Sequence, residues 1–134
     1  MRAAVMWEAG GPFEVREVAL ADPGPREVVV RIHAAGVCAS DLSLTTTFGQ
    51  PTPVVLGHEG AGVVAAVGSA VENVAVGDRV VVLWVGPCGH CRPCLRGDEY
   101  LCANRSSTAD ARAGREHTST SRLSIDGLAV HQGM

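Results

Sequence analysis

Short apolar runs alternate with turn signals along the whole chain, and valine and alanine dominate these runs. Turn-forming clusters of glycine, proline and aspartate separate the runs, and β-branched residues favour strands over helices. The pattern therefore predicts a mostly β domain of short strands, either a barrel or a sandwich. The predicted strands are Ala3–Trp7, Val15–Val18, Val28–Ala34, Gly62–Val67 and Arg79–Leu83.

Outside the predicted strands the pattern is weaker. One short helical turn is predicted at 40–44, with Ser40 or Asp41 as its N-cap. Residues 105–124 are polar and aperiodic, which predicts a long surface excursion rather than a packed element. After it, the run Leu128-Ala129-Val130 resembles the approach to another strand.

Composition and charge argue for a single domain and against nucleic-acid and membrane partners. The chain has 134 residues, 46% of them hydrophobic, which suits one domain with its own core. A net charge of −3 argues against a nucleic-acid partner, which needs a basic face. No apolar run reaches the roughly 20 residues that span a bilayer. The N-terminus lacks a secretory signal, so no membrane partner and a cytoplasmic location are expected.

Four of the five cysteines form a compact motif, C-x2-C-x2-C-x7-C, made by Cys88, Cys91, Cys94 and Cys102. Three interpretations compete: unrelated buried thiols, an iron–sulfur site, or a closed structural zinc site. Zinc is favoured, because the close spacing suits one tetrahedral ion and the last gap departs from the bacterial iron–sulfur motif. Zinc would fold a lobe at about 86–104 that has almost no apolar core. Four thiolates complete the tetrahedron, so His90 is expected to face solvent.

The fifth thiol suggests a second metal site. Cys38 and His58 are two donors of the kind found in catalytic zinc sites, which keep one position open. Asp41 could accept the second N–H of His58, and Ser40 could carry a proton from a bound alcohol. Glu59 could approach the metal during ligand exchange. Each residue also has a simpler explanation in core packing or helix capping.

Four stretches of the chain carry a combined motif pattern, and they are 36–41, 57–64, 76–80 and 88–102. Taken together, they resemble the zinc-dependent alcohol dehydrogenases of the medium-chain dehydrogenase/reductase family. They cover most of residues 1–104 in the order of that family. The tail 120–132 also resembles the segment beyond the zinc lobe, closest to members that act on aryl or longer-chain alcohols and glutathione-type adducts.

The resemblance implies that residues 1–134 form an incomplete catalytic domain with the GroES-like fold, a partly open β barrel carrying a zinc-binding loop lobe. It implies catalytic zinc at Cys38 and His58, with Asp41 behind the histidine and Ser40 at the proton-relay position. It implies structural zinc at the four-cysteine motif. Phe48 and Trp84 would line the alcohol pocket.

The resemblance also implies an activity, the oxidation of an alcohol to an aldehyde or ketone with hydride transfer to NAD or NADP. The family's third catalytic zinc ligand and its Rossmann domain would lie beyond these residues, so the fragment alone is expected to be inactive. The full-length enzyme is expected to be a homo-oligomer. Ser43 and Ala39 depart from common family residues, which leaves the outer proton path and one cofactor contact open.

Two other functions remain open from the residues alone. The chain could be a stand-alone zinc-binding β module used in assembly. It could also be a redox or zinc sensor with Cys38 as its reactive thiol, which would require a lowered thiol pKa.

Overall fold

The computed structural model describes residues 1–41, 43, 51–83, 86–103 and 121–132. These residues divide into two compact units. One unit holds the described residues of 1–82 together with 121–132, and the other holds Leu83 and 86–103. Phe48 and Trp84, the predicted lining of the alcohol pocket, lie outside the described residues.

The first unit contains a six-stranded sheet that joins both ends of the chain, with the order β2-β1-β5-β9-β8-β3. Most neighbours are antiparallel, but β5 and β9 pair in parallel, with Val54 opposite His131. Residues 121–132 therefore complete the sheet that the N-terminal strands begin. The strands are β1 (Arg2–Met6), β2 (Phe13–Glu17), β3 (Ala19–Leu20), β5 (Val54–Val55), β8 (Leu123–Ile125) and β9 (Leu128–Gln132).

A small aliphatic cluster forms the core of this sheet. Five side chains from β1, β8, β9 and the residue after β2 are at most 8% exposed, which favours the sheet by removing apolar surface from water. The hairpin between β8 and β9 turns at Asp126 and Gly127, whose φ angles are 50° and 83°. Paired positive φ angles characterise the tight turn that matches strand twist. The core residues are Val5, Val18, Leu123, Ile125 and Val130.

The second sheet of this unit has three antiparallel strands, in the order β4-β6-β7. They are β4 (Val28–Ala35), β6 (Gly60–Val67) and β7 (Arg79–Val81). Ala35 pairs with Gly60, so the residues that follow β4 lie beside those that precede β6. This register brings two sequence-distant loops together, and both carry predicted metal ligands.

The second unit has little regular structure. A short helix, α1 (Arg92–Leu95), precedes a 3₁₀ turn at Glu99–Leu101. Among its described residues, only Cys94 and Cys102 are buried. This agrees with the expectation of a lobe that lacks an apolar core of its own.

The mostly β prediction is confirmed, but several strand assignments differ. The predicted strand Arg79–Leu83 ends at Val81, and three strands of two or three residues, β3, β5 and β8, escaped prediction. Strands this short show no alternation to detect. The predicted excursion 105–124 is wrong at its end, because Leu123 is 2% exposed and belongs to β8. Residues 104–120 lie outside the described part of the chain.

Within the described residues, no helix is both long and apolar enough to cross a membrane.

Candidate metal centres

Cys38 and His58 lie in the two loops that the β4–β6 pairing brings together. Their metal-binding atoms and a carboxylate oxygen of Glu59 all lie within 4.8 Å of one another. The backbone N–H of Gly36 donates to the carbonyl of Glu59 at 2.8 Å, which extends the ladder by one rung toward the ligands. Two donors predicted from distant stretches thus converge, and Glu59 joins them as a third.

Asp41 orients both predicted ligands. Its Oδ1 lies 3.1 Å from Nδ1 of His58, and its Oδ2 accepts the backbone N–H of Cys38 at 2.9 Å. Nδ1 is assigned the proton, which leaves the Nε2 lone pair available for a metal. Residues Ala39–Asp41 are helical, so Asp41 lies within the predicted helical turn. Its carboxylate hydrogen-bonds to the two candidate ligand residues. It is 7% exposed.

Ser40 contacts both donors. Its hydroxyl and its backbone N–H hydrogen-bond to Cys38 and, despite desolvation, hold the pKa of that thiol below its usual value. Its Oγ also lies 3.4 Å from Nε2 of His58. A lowered thiol pKa favours the thiolate, the form that binds metal. The Ser40 hydroxyl therefore lies beside both candidate ligands.

Burial lowers the pKa of His58, but the contacts with Cys38 and Asp41 outweigh it, so this pKa lies above its usual value. The same contacts would stabilise an imidazolium where no metal competes for Nε2. A cation at this point would be favoured for the same electrostatic reason.

Glu59 is the most exposed of the three grouped donors, with half of its side chain accessible to solvent. Its Oε1 lies 3.9 Å from Nε2 of His58. One sulfur, one imidazole nitrogen and one carboxylate oxygen are all common zinc donors. The donor set fits a zinc ion with an open coordination position.

The second candidate centre is the four-cysteine motif. The Sγ atom of Cys91 lies 3.4 Å from that of Cys94 and 3.9 Å from that of Cys102. The Sγ atoms of Cys88 and Cys94 are 4.0 Å apart. Four sulfurs around one zinc at about 2.3 Å would lie about 3.8 Å apart. A disulfide would require roughly 2 Å. The separations fit a single tetrahedral ion.

Backbone N–H groups support these thiols. The backbone N–H of His90 donates to Cys88 and, with that of Cys91, lowers the pKa of Cys88 to about 6. Burial raises the pKa of Cys94 to about 12. Cys94 therefore needs a strong cation to become a thiolate near neutral pH. His90 is exposed, as expected, and its ring Nδ1 lies 2.7 Å from the carbonyl oxygen of Cys88.

Gly36 is a site residue to which sequence reasoning gave no role of its own. A side chain at this position would overlap the carboxylate of Glu59. The only sequence signal is a glycine two residues before a candidate ligand, and such a signal does not show what fills the space.

A separate cleft of about 460 Å³ lies on the three-stranded sheet. His33 and Arg79 line it together with apolar residues of β6 and β7. Neither Cys38, His58 nor Glu59 contributes to it, so the cleft does not locate a substrate beside the candidate ligands.

Comparison with known proteins points to one family. Residues 24–124 match the alcohol dehydrogenase GroES-like domain. The putative alcohol dehydrogenase D of Mycobacterium tuberculosis is 50% identical over 101 residues, covering 75% of this chain and 27% of that protein. An alcohol dehydrogenase zinc-binding domain protein from Burkholderia ambifaria has a solved structure with 38% identity and a TM-score of 0.76. The match covers 98% of this chain and 35% of the Burkholderia ambifaria protein.

A second solved structure is the cobalt and zinc bound thermostable alcohol dehydrogenase from Pyrobaculum aerophilum, with 38% identity and a TM-score of 0.62. The match covers 77% of this chain and 32% of that one. The chain thus spans about a third or less of the length of these relatives. The predicted GroES-like partly open barrel is confirmed, and the chain belongs to the zinc alcohol dehydrogenase family through its GroES-like domain.

Proposed function

We propose that these residues form the catalytic domain of a zinc-dependent alcohol dehydrogenase. The observation that carries this proposal is the convergence of Cys38, His58 and Glu59, with Asp41 holding the first two in place. Residues 36–41 and 57–64 come from opposite sides of a sheet pairing, so their meeting is not a consequence of sequence proximity. Family membership supports the same assignment.

The chemistry requires an alcohol to lose a proton and a hydride. Zinc at Cys38 and His58 would lower the pKa of the alcohol hydroxyl, as a Lewis acid does. Ser40 Oγ would accept that proton and pass it outward, and its position 3.4 Å from Nε2 of His58 supports this role. Asp41 keeps the imidazole in the tautomer that presents Nε2.

The hydride would pass to NAD or NADP, and the substrate would be a small alcohol or, in reverse, an aldehyde or ketone. The resemblance implies a nucleotide site outside residues 1–134, and we expect these residues alone to bind zinc without oxidising alcohols. The proposal extends to a cytoplasmic, homo-oligomeric full-length enzyme with no nucleic-acid or membrane partner. The four-cysteine motif would hold structural zinc and fold its lobe.

Metal counting tests the two-centre proposal. We expect two zinc ions per chain, falling to one in Cys38→Ser and, independently, to one in Cys94→Ser, measured by atomic emission. Cys38→Ser should leave the circular dichroism spectrum of the chain unchanged, because the lobe keeps its own zinc. One zinc per chain, unaffected by Cys38→Ser, would contradict the catalytic centre.

An activity assay on the 134-residue chain provides a second test. Residues 1–134 are expected to form neither NADH from NAD nor NADPH from NADP when an alcohol is added. Activity from this chain alone would show that the nucleotide site lies within it. Zinc binding together with a defined protein partner, but no nucleotide binding in any longer form, would favour the stand-alone module instead.

A further inference from the structure

The space beside Gly36 is occupied by the side chain of Glu59. Gly36 follows β4 directly, and its N–H donates to the Glu59 carbonyl at 2.8 Å. A Cβ built on Gly36 would overlap Oε2 of Glu59 and lie 3.0 Å from both Cβ and Cδ of that residue. The Glu59 side chain therefore folds across the position where any other residue would place its first carbon.

The backbone itself does not require glycine here. Gly36 is not among the glycines with positive φ, so an alanine could adopt this conformation without strain. The atoms closest to the added carbon all belong to Glu59. What the glycine provides is room for one particular side chain.

The position of Glu59 matters because its carboxylate is one of the three grouped donors. Its Oε1 lies 3.9 Å from Nε2 of His58, and half of the side chain is exposed. A flexible, half-exposed carboxylate can turn into water at little cost when its inner position is blocked. A side chain at position 36 would therefore displace the Glu59 carboxylate from its position beside the Cys38 sulfur and the His58 imidazole.

We propose that Gly36 is a positioning residue for the candidate catalytic metal centre, because its missing side chain lets the Glu59 carboxylate reach the metal held by Cys38 and His58. The inference rests on the proposed function. It assigns to Gly36 a role that acts only through Glu59. In consequence, substitutions at the two positions should not have independent effects on the metal.

The test is a double-substitution cycle on the full chain, with Co²⁺ in place of zinc. Gly36→Ala should change the visible Co²⁺ absorption in the same way as Glu59→Ala, because both remove one oxygen donor. Each should weaken metal binding at this centre by about tenfold, measured by chelator competition. Loss of a group that supports a metal site typically costs about 10- to 100-fold in affinity, and we expect the smaller effect here. In the Glu59→Ala background, Gly36→Ala should have no further effect.

Gly86→Ala is the matched control, since nothing lies within 4 Å of a Cβ built there and its φ is not positive. It should leave the Co²⁺ spectrum unchanged. The four-sulfur centre adds the same absorption to every variant, so difference spectra remove it.

Three outcomes would overturn the inference. The first is a wild-type spectrum and affinity for Gly36→Ala. The second is an equal loss of affinity from Gly36→Ala in the presence and absence of the Glu59 carboxylate. The third is a Gly36→Ala variant that fails to fold and is not rescued by Glu59→Ala, because the methyl group would then act through another contact. Failure of the proposed function would appear differently, as a wild-type chain that binds only one metal ion.

Discussion

At the scale of single residues, Asp41 connects the two candidate ligands through one buried carboxylate. It accepts the Cys38 backbone N–H at 2.9 Å and lies 3.1 Å from Nδ1 of His58. Cys38 and His58, which Asp41 joins, lie 20 positions apart in the sequence. A hydrogen-bonded carboxylate that holds a ligating histidine also increases its basicity.

Replacing Asp41 by alanine should therefore lower zinc affinity at this centre by about 10- to 100-fold. The measurement is chelator competition on the zinc-loaded chain. Asp78→Ala is the control, because the Asp78 carboxylate accepts an N–H from Ala75 in an exposed turn and touches no candidate ligand. Equal affinities for the Asp41→Ala variant and the wild type would contradict the positioning role.

A single residue can be predicted from the sequence where its side chain carries a donor or acceptor atom that a site would need. The donors Cys38 and His58 and the supporting Asp41 were all predicted, and the structure brings them together. Gly36 could not be interpreted in the same way, because its contribution is the space that another side chain occupies.

At the scale of elements, the first unit depends on segment 121–132 returning to the N-terminal strands. Arg122 Nε donates to Oε2 of Glu27 at 2.8 Å, and the same oxygen accepts the Gly24 N–H at 2.6 Å. The backbone N–H of Ala21 also donates to the Arg122 carbonyl. The two contacts of Arg122 join residues that are about one hundred positions apart in the sequence.

The Glu27 contacts predict a pH dependence of stability. The backbone N–H of Gly24 and then the Arg122 guanidinium hold the pKa of Glu27 below its usual value. A lowered folded-state pKa stabilises the fold above the unfolded-state pKa, and this contribution is lost as pH falls through the folded-state value. Urea denaturation should show Glu27→Gln less stable than wild type at pH 7, with the difference vanishing at strongly acidic pH.

A difference in unfolding free energy between Glu27→Gln and the wild type that stays constant from pH 7 to acidic pH would contradict the role given to Glu27. Glu17→Gln is a suitable control, since the Glu17 side chain is mostly exposed and pairs with the N-terminal amine at 3.4 Å. Its effect on the free energy of unfolding should be small at every pH, as is usual for exposed pairs.

At the scale of the whole molecule, large apolar side chains remain exposed on the outer strands of the three-stranded sheet. Ile32 of β4 is 49% exposed and Val81 of β7 is 72% exposed. In the described part of the chain, β4 and β7 each pair with β6 alone. Open strand edges with exposed apolar residues favour association with other chains.

Residues 1–134 expressed alone should therefore self-associate. Val81→Lys should reduce this association, because a lysine at an outer strand opposes edge-to-edge pairing. Light scattering across a concentration series measures both effects, with Arg26→Lys, a charge-preserving change at an exposed turn, as the control. A stable monomer at all concentrations would contradict this prediction.

Residue identity and local pattern are enough to predict the donor residues, their spacing, the mostly β class and the family. Tertiary structure is needed to show which carboxylate lies beside which ligand, which side chain fills the space next to Gly36, and how residues 121–132 complete the N-terminal sheet. Those features depend on pairings between residues tens of positions apart. Local propensity carries no information about such pairings, particularly for strands of two or three residues.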